Sequence, residues 1–82
     1  MTRYYFHMKD GGVFLDSEGL ELSTLEEVRK AALTSSGEAL RDGADPDLWN
    51  GTPWRVWVTT QPDGEGDVVC ELEFSAKLAK PR

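Results

Sequence analysis

The chain opens with the two-residue alternation of hydrophobic positions that is typical of a β-strand. Residues 3–10 read RYYFHMKD. One face of this predicted strand carries Tyr4, Phe6 and Met8. The opposite face carries Tyr5, His7 and Lys9. Both faces hold large side chains, so the pattern predicts a strand that is covered on one side and presents an aromatic surface on the other.

A turn and a second strand are predicted at residues 10–16. The sequence Asp-Gly-Gly predicts a hairpin, because glycine supplies the positive φ that tight hairpin turns require. With a two-residue loop, Val13 and Leu15 share the face of Tyr4, and Phe14 shares the face of His7. A three-residue loop with a bulge reverses this assignment.

The middle of the chain predicts one helix. The tetrapeptide STLE at residues 23–26 is a capping box, in which the Ser23 hydroxyl accepts a hydrogen bond from the Glu26 N–H. The helix should run to about residue 42 and stop at Gly43. Gly37 lies inside it and costs roughly 1 kcal/mol relative to Ala, which predicts a weak point or kink. The stripe that faces the sheet consists of Leu25, Val28, Ala32, Ser36 and Ala39, with Leu33 and Leu40 at its edge.

Two further strands, at residues 54–60 and 67–74, alternate in the same way. The sequence Pro-Asp-Gly between them favours a turn. A five-residue loop pairs Arg55 with Glu71, Val56 with Cys70, and Trp57 with Val69.

The element order β-β-α-β-β predicts an α+β fold. We expect a two-layer sandwich, in which one helix covers one face of a four-stranded antiparallel sheet. Residues 1–75 form this single domain, and residues 76–82 form a polar tail. Leu48 and Trp49 should pack over one end of the core. The covered face collects Tyr4, Phe6, Met8, Val13, Leu15, Val56, Val58, Val68, Cys70, Leu72 and Phe74.

The charge balance narrows the range of partners. The chain holds 15 acidic and nine basic residues, for a net charge of −6. This excess repels nucleic-acid phosphates and anionic membrane surfaces, and it suits a basic protein partner. Neither a signal peptide nor a membrane span is evident, and the single Cys70 cannot form an internal disulfide. We therefore expect a cytoplasmic protein.

The uncovered face of the predicted sheet is the candidate interaction surface. It gathers Tyr5, His7, Phe14, Arg55, Trp57, Val69 and Glu71. Exposed apolar patches usually mark interaction sites, and Trp, Tyr and Arg dominate binding hot spots. The alternative is that the aromatic pairs only stabilise the sheet. If the surface binds a partner, replacing Trp57 with Ser should weaken association and leave the fold intact.

Catalytic and metal-binding patterns are weak in this sequence. His7 has Asp16 and Glu18 as candidate neighbours across the hairpin, but no nucleophile is evident. One His and one Cys do not make a metal site of the usual kind, and the acidic residues do not follow the EF-hand spacing. We expect no enzyme activity, no cofactor, no metal and no small-molecule ligand.

Several segments resemble known families. The opening RYYFHMKDG, then DSEGLEL, the helix TLEEVRKAAL and the late VWV together resemble a family of short bacterial proteins that are described only as a domain of unknown function. That resemblance covers roughly residues 2–74, and it implies the same element order without an established activity. The segment EGLELSTLEEVRKAAL is also similar in style to HicB-type antitoxin domains, which bind a basic RNase partner.

Two functional hypotheses follow. The first is a small interaction module that binds a protein partner, or a second copy of itself, through the uncovered sheet face. The alternative is an antitoxin-like inhibitor that binds a basic partner through its acidic surface.

Overall fold

The fold is α+β, with a five-stranded antiparallel sheet and one long helix. The computed structural model describes residues 1–43, 46–49, 51–77 and 79. Its elements are β1 (Thr2–Lys9), β2 (Val13–Phe14), β3 (Leu20–Leu22), α1 (Leu25–Gly43), α2 (Pro46–Trp49), β4 (Trp54–Thr59) and β5 (Cys70–Phe74). The strand order is β2-β1-β4-β5, and β3 also pairs with β1. The sheet therefore has one strand more than the sequence predicts.

β2 and β3 are two halves of one edge beside β1. β2 pairs with the end of β1 (Met8 with Phe14), and β3 pairs with its start (Tyr4 with Leu20). Between these pairs, residues 5–7 of β1 lie opposite the longer segment 15–19. This segment does not form strand pairs with β1. β3 was not predicted, because a strand of three residues is too short to show an alternation.

The β1–β2 hairpin has the longer of the two loops considered. Lys9 pairs with Val13, so three residues form the loop. Phe14 then lies opposite Met8 and shares its face, and the prediction that Phe14 shares the face of His7 is wrong. The prediction that Val13 and Leu15 enter the core is also wrong, since they are 57% and 48% exposed.

α1 begins with a capping box one residue later than predicted. The Thr24 hydroxyl accepts a hydrogen bond from the Glu27 N–H at 3.1 Å, and the Glu27 carboxylate accepts one from the Thr24 N–H at 3.0 Å. The helix continues through Gly37 and includes Gly43, close to the predicted end.

The main core lies between α1 and the sheet. Val28, Ala32 and Val58 are almost fully buried there. Partly buried side chains surround them: Tyr4, Phe6, Leu22, Val69, Cys70 and Leu72. The alternation of β1, β4 and β5 therefore identified most of this core. Val68, which was also expected there, is 46% exposed.

The β4–β5 pairing is shifted by two residues from the predicted register. Arg55 lies opposite Glu73, and Trp57 lies opposite Glu71. The shift arises because β5 begins at Cys70, after a longer loop than expected. A shift of two keeps each side chain on its predicted face, since side chains alternate with a period of two.

Val69 precedes β5 and does not follow the predicted alternation. Its N–H donates to the Val58 carbonyl at 2.8 Å, while Cys70 is the residue paired with Val58. Two consecutive residues therefore lie against one, which is the arrangement of a β-bulge. Val69 packs against the helix-side core, so the prediction that it lies on the uncovered face is wrong.

The short helix α2 only partly covers one end of the core. Leu48 is 5% exposed, as expected, whereas Trp49 is 48% exposed. Most of the predicted tail at 76–82 lies outside the described residues. Among the helices of the described chain, none combines the length and apolar character that crossing a membrane requires.

Candidate functional site

Two loops cover the sheet face that the sequence predicted to be open. The loop from 60 to 66 folds back over β4, and the segment 15–19 folds over β1. A Cβ atom added at Gly64 would lie 2.7 Å from Leu15 Cδ2 and 3.5 Å from Trp57 Cζ2. The indole Nε1–H of Trp57 donates to the Gly64 carbonyl at 3.0 Å. Trp57 is consequently only 6% exposed.

His7 is fully buried beneath these loops and uses both of its ring nitrogens. Nδ1 accepts a hydrogen bond from the Asp16 backbone N–H at 3.2 Å. Nε2 lies 2.9 Å from the Thr59 hydroxyl, which donates its own proton to the Gln61 carbonyl at 2.7 Å. The hydroxyl must therefore accept from His7. These contacts assign the neutral tautomer with its proton on Nε2.

The Asp16 carboxylate takes over the hydrogen bonds that a continuous edge strand would supply. One oxygen accepts from the Phe6 N–H at 3.1 Å, and the other accepts from the Glu18 and Gly19 N–H groups at 3.0 and 3.1 Å. Burial raises the pKa of Asp16, but these backbone donors outweigh it, so the pKa lies below its ordinary value. Asp16 thus fills the gap between β2 and β3.

We call His7, Asp16, Trp57, Thr59 and Gly64 the polar–aromatic cluster. The His7 and Trp57 rings lie 5.2 Å apart between their centroids. The cluster joins β1, β4 and the two covering loops. Both ring nitrogens of His7 form hydrogen bonds that hold these segments together. The polar atoms of the cluster therefore stabilise the fold.

Two other predicted site residues border the polar–aromatic cluster. The Tyr5 ring stacks on His7, with 6.5 Å between their centroids. The Arg55 guanidinium lies over the Trp57 ring, 4.6 Å from its centroid. These contacts cover the two buried rings further, by a stacked aromatic ring and a cation–π contact.

The predicted interaction surface is therefore divided. His7 and Trp57 are buried, so the prediction that they form an exposed centre is wrong. Phe14 and Val69 belong to the other face of the sheet. The remaining members border the buried rings or lie near the β5 edge: Tyr5, Arg55 and Glu71. The prediction failed because two loops fold back over this face of the sheet. The alternation of hydrophobic residues along the strands does not indicate where the loops go.

A different surface remains accessible beside β5. Among the described residues, β5 pairs with β4 on one side and leaves its other edge unpaired. Two cavities of about 160 and 240 Å³ lie between α1 and the neighbourhood of β5. We call this region the β5 groove. Its lining consists of Leu25, Val28, Arg29, Ala32 and Leu33 from α1, with Val69, Cys70, Glu71 and Leu72 from the neighbourhood of β5.

The helix side of the β5 groove presents two exposed leucines with Arg29 between them. Leu25 and Leu33 are 60% and 59% exposed, although both were expected to face the sheet or its margin. With Arg29 between them, they follow each other at intervals of four residues along one side of α1. Burial raises the pKa of the Cys70 thiol at the base of the groove. The eight-residue spacing of the two leucines, about two helical turns, was the sequence signal for this surface.

The opposite face of the β5 edge is acidic. Glu71 and Glu73 both project there, while Arg55 lies on β4 beside them. The Arg55 Nε–H donates to the Glu71 carboxylate at 2.5 Å, and this bond lowers the pKa of Glu71. Among the described residues, Arg55 is therefore bonded to one of these carboxylates and lies opposite the other in the register.

No group of three or more His, Cys, Asp or Glu side chains suited to a metal ion occurs within the described part of the chain. Fold and surface together define a small α+β domain with a buried polar–aromatic cluster and, in the part of the chain that the structure describes, an unpaired edge on β5. A family model for the domain of unknown function DUF6894 matches residues 3–75. The chain therefore belongs to the DUF6894 family. A search of curated proteins and a search of solved structures gave no match.

Proposed function

We propose that this domain is a protein-interaction module that binds a protein partner in the β5 groove. One observation carries the proposal: among the described residues, β5 has an unpaired strand edge, and two exposed leucines, Leu25 and Leu33, lie near it. Unpaired strand edges attract other chains, and exposed apolar surface of this kind is typical of interaction sites. The function needs no catalytic residue, cofactor or metal, and it fits a cytoplasmic protein.

The β5 groove is better suited to a partner than the other sheet edge. That edge consists of the two-residue β2 and the three-residue β3, separated by the segment that Asp16 holds. β5 offers five consecutive residues, and its helix neighbour supplies apolar side chains. A partner there can form backbone hydrogen bonds and bury side chains together.

Leu33→Ser tests the proposal, with Leu20→Ser as its matched control. Both leucines are about half exposed, but Leu20 lies on the opposite edge of the sheet. Leu33 is 59% exposed, so burying the rest of its side chain contributes about 1–2 kcal/mol, and Leu33→Ser should weaken partner binding about five- to twentyfold. Leu20→Ser should leave binding unchanged. The measurement is the affinity of each variant for a protein that the wild type captures from its native lysate.

Two results contradict the proposal. One is capture that Leu33→Ser leaves intact. The other is a wild-type protein that stays monomeric and retains no partner. Thermal unfolding of both variants establishes that a loss of binding is not a loss of fold.

The antitoxin-like function is the second candidate, and the acidic face of the β5 edge favours it. In that case the partner is a basic enzyme whose activity the domain blocks. Charge pairs between exposed groups weaken with salt, whereas apolar contacts depend on it little. Binding that falls steeply with salt and inhibits the captured partner supports the antitoxin-like function.

A further inference from the structure

We infer that the occupant of the β5 groove is an extended segment of another protein in which basic and apolar residues alternate. The segment adds to the sheet as a strand beside β5. This inference rests on the proposed function and specifies the chemistry of the partner.

The free edge of β5 supplies the backbone part of this recognition. Successive residues of a strand in an antiparallel sheet turn their N–H and C=O groups to alternate sides. Every second residue of β5 therefore presents both groups away from β4. Within the described residues no strand pairs with them. An extended segment satisfies such groups directly, as in other cases of strand addition.

The two faces of β5 then select the side chains of that segment. Side chains of an added strand alternate between the two faces of the sheet. On the helix side they meet Leu72 and a wall in which Leu25 and Leu33 flank Arg29. On the other side they meet Glu71 and Glu73. The pattern that matches both faces is apolar, basic, apolar, basic.

The acidic face has a deficit of positive charge that a basic segment fills. Arg55 donates its hydrogen bond to Glu71 and lies opposite Glu73, so within the described residues one guanidinium lies beside two carboxylates. The chain as a whole carries a net charge of −6. Opposite charges placed across neighbouring strands are stabilising, and like charges are destabilising.

The same charges argue against a second copy of this chain as the occupant. In an antiparallel pair of two β5 strands centred on Leu72, Glu71 lies opposite Glu73 of the other copy. Shifting the register by two residues places Glu71 or Glu73 opposite its own counterpart. Shifting it by one places a carboxylate opposite an apolar residue on a shared face. No short register avoids an unfavourable pairing.

A synthetic peptide of about eight alternating Lys and Val residues tests the inference, since this length spans β5. The full chain, labelled with ¹⁵N, is titrated with the peptide and followed by NMR. We expect amide shifts confined to β5 and the adjoining side of α1. Two control peptides should not bind: one with Glu in place of Lys, and one with alternate backbone nitrogens methylated. The second keeps the side chains but cannot form a strand ladder.

Charge variants of the protein provide the second measurement. The double variant Glu71→Gln/Glu73→Gln should bind the Lys-Val peptide about five- to tenfold more weakly, because two cross-strand charge pairs are lost. Glu18→Gln/Glu21→Gln is the matched control. It removes the same charge from the opposite edge, where Glu21 pairs with Arg3, and it should leave binding unchanged.

Three results of the peptide titrations overturn the inference. They are no binding of the Lys-Val peptide, equal binding of the Glu-Val peptide, and binding that backbone methylation leaves intact. A wild-type dimer that Leu33→Ser dissociates also overturns it, because the occupant is then a second copy. The proposed function fails separately, when Leu33→Ser leaves the binding of a captured partner intact. If a captured partner loses its binding to Leu33→Ser and yet contains no segment of alternating basic and apolar residues, that result contradicts the inference and leaves the proposed function standing.

Discussion

The two faces of the sheet are closed by different means. On one face α1 packs apolar side chains around Val28, Ala32 and Val58. On the other face two loops cover His7 and Trp57, and hydrogen bonds hold these loops in place. The helix-side face is held by apolar packing, which is non-directional. The loop-side face depends on the geometry of particular hydrogen-bond donors and acceptors.

This difference has an energetic consequence. An apolar core loses stability in proportion to the volume removed from it. In the polar–aromatic cluster, removing one partner leaves another buried polar group without a hydrogen bond, which costs about 1–3 kcal/mol. The cluster also joins segments far apart in the chain, since Thr59 lies 52 positions from His7. Single changes there should affect both loops.

Trp57→Ala should have the largest effect on stability. Trp57 is 6% exposed, and truncating a buried tryptophan costs about 3–5 kcal/mol. The loss of the indole also removes the bond to the Gly64 carbonyl. This reverses the expectation from the sequence that Trp57 can be replaced without harm to the fold. The measurement is the free energy of unfolding in urea.

Phe14→Ala is the control for Trp57→Ala. Phe14 is 60% exposed at the β1–β2 hairpin, so its truncation should change stability by about 0.5 kcal/mol or less. If Trp57→Ala costs no more than Phe14→Ala, the loops do not close this face.

A mirrored exchange at Val58 and Thr59 compares the two faces at neighbouring positions. Thr59→Val removes the hydroxyl that His7 needs, at a cost of about 1–3 kcal/mol. Val58→Thr puts a hydroxyl into the apolar core without a partner, at a similar cost. Both exchanges preserve shape, so both effects come from polarity. Denaturant unfolding measures them.

Thr59→Ser controls this exchange because it keeps the hydroxyl and removes one methyl group, which costs about 0.8 kcal/mol. In Thr59→Ser, His7 should keep its proton on Nε2, and the ¹⁵N resonances of the ring should report this tautomer. A Thr59→Ser variant less stable than Thr59→Val would show that the hydroxyl does not matter.

The helix-side face could be predicted from the sequence because its signals are local and periodic. The alternation of β1 and β4 assigned Phe6 and Val58 to the core, and the helical period assigned Val28. The register error between β4 and β5 left these assignments intact, since a shift of two preserves the faces.

The loop-side face could not be predicted because its contacts depend on how the loops return. Nothing in the alternation indicates that Asp16 will bind the Phe6 N–H across the hairpin, or that Gly64 will lie on Trp57. Gly64 has a φ of +76°, and a Cβ there would press on Leu15. The Pro-Asp-Gly sequence indicated a turn, but it did not indicate the direction in which the loop folds. The candidate site was therefore misplaced where the loops decide exposure.

The stability of the two faces should also respond differently to acid. This is the smallest of the predicted effects. Asp16 has a folded-state pKa below its ordinary value of 3.8. Its stabilising contribution is therefore fully present above pH 3.8 and is lost as the pH falls through the lower folded-state value. Protonation weakens the carboxylate as an acceptor for the Phe6, Glu18 and Gly19 N–H groups.

Asp16→Asn should remove this part of the acid response. The variant should be less stable than the wild type at neutral pH, and the difference should shrink as the pH falls below 3.8. Val28→Ala, on the helix-side face, should lower stability by a similar amount at every pH, because it changes no titratable group. Asp10→Asn is the charge control, since that carboxylate accepts only one long bond, of 3.5 Å, from the Gly12 N–H. Urea unfolding between neutral and acidic pH measures all three. A difference for Asp16→Asn that stays constant with pH would mean that the charge of the Asp16 carboxylate does not hold the gap between β2 and β3.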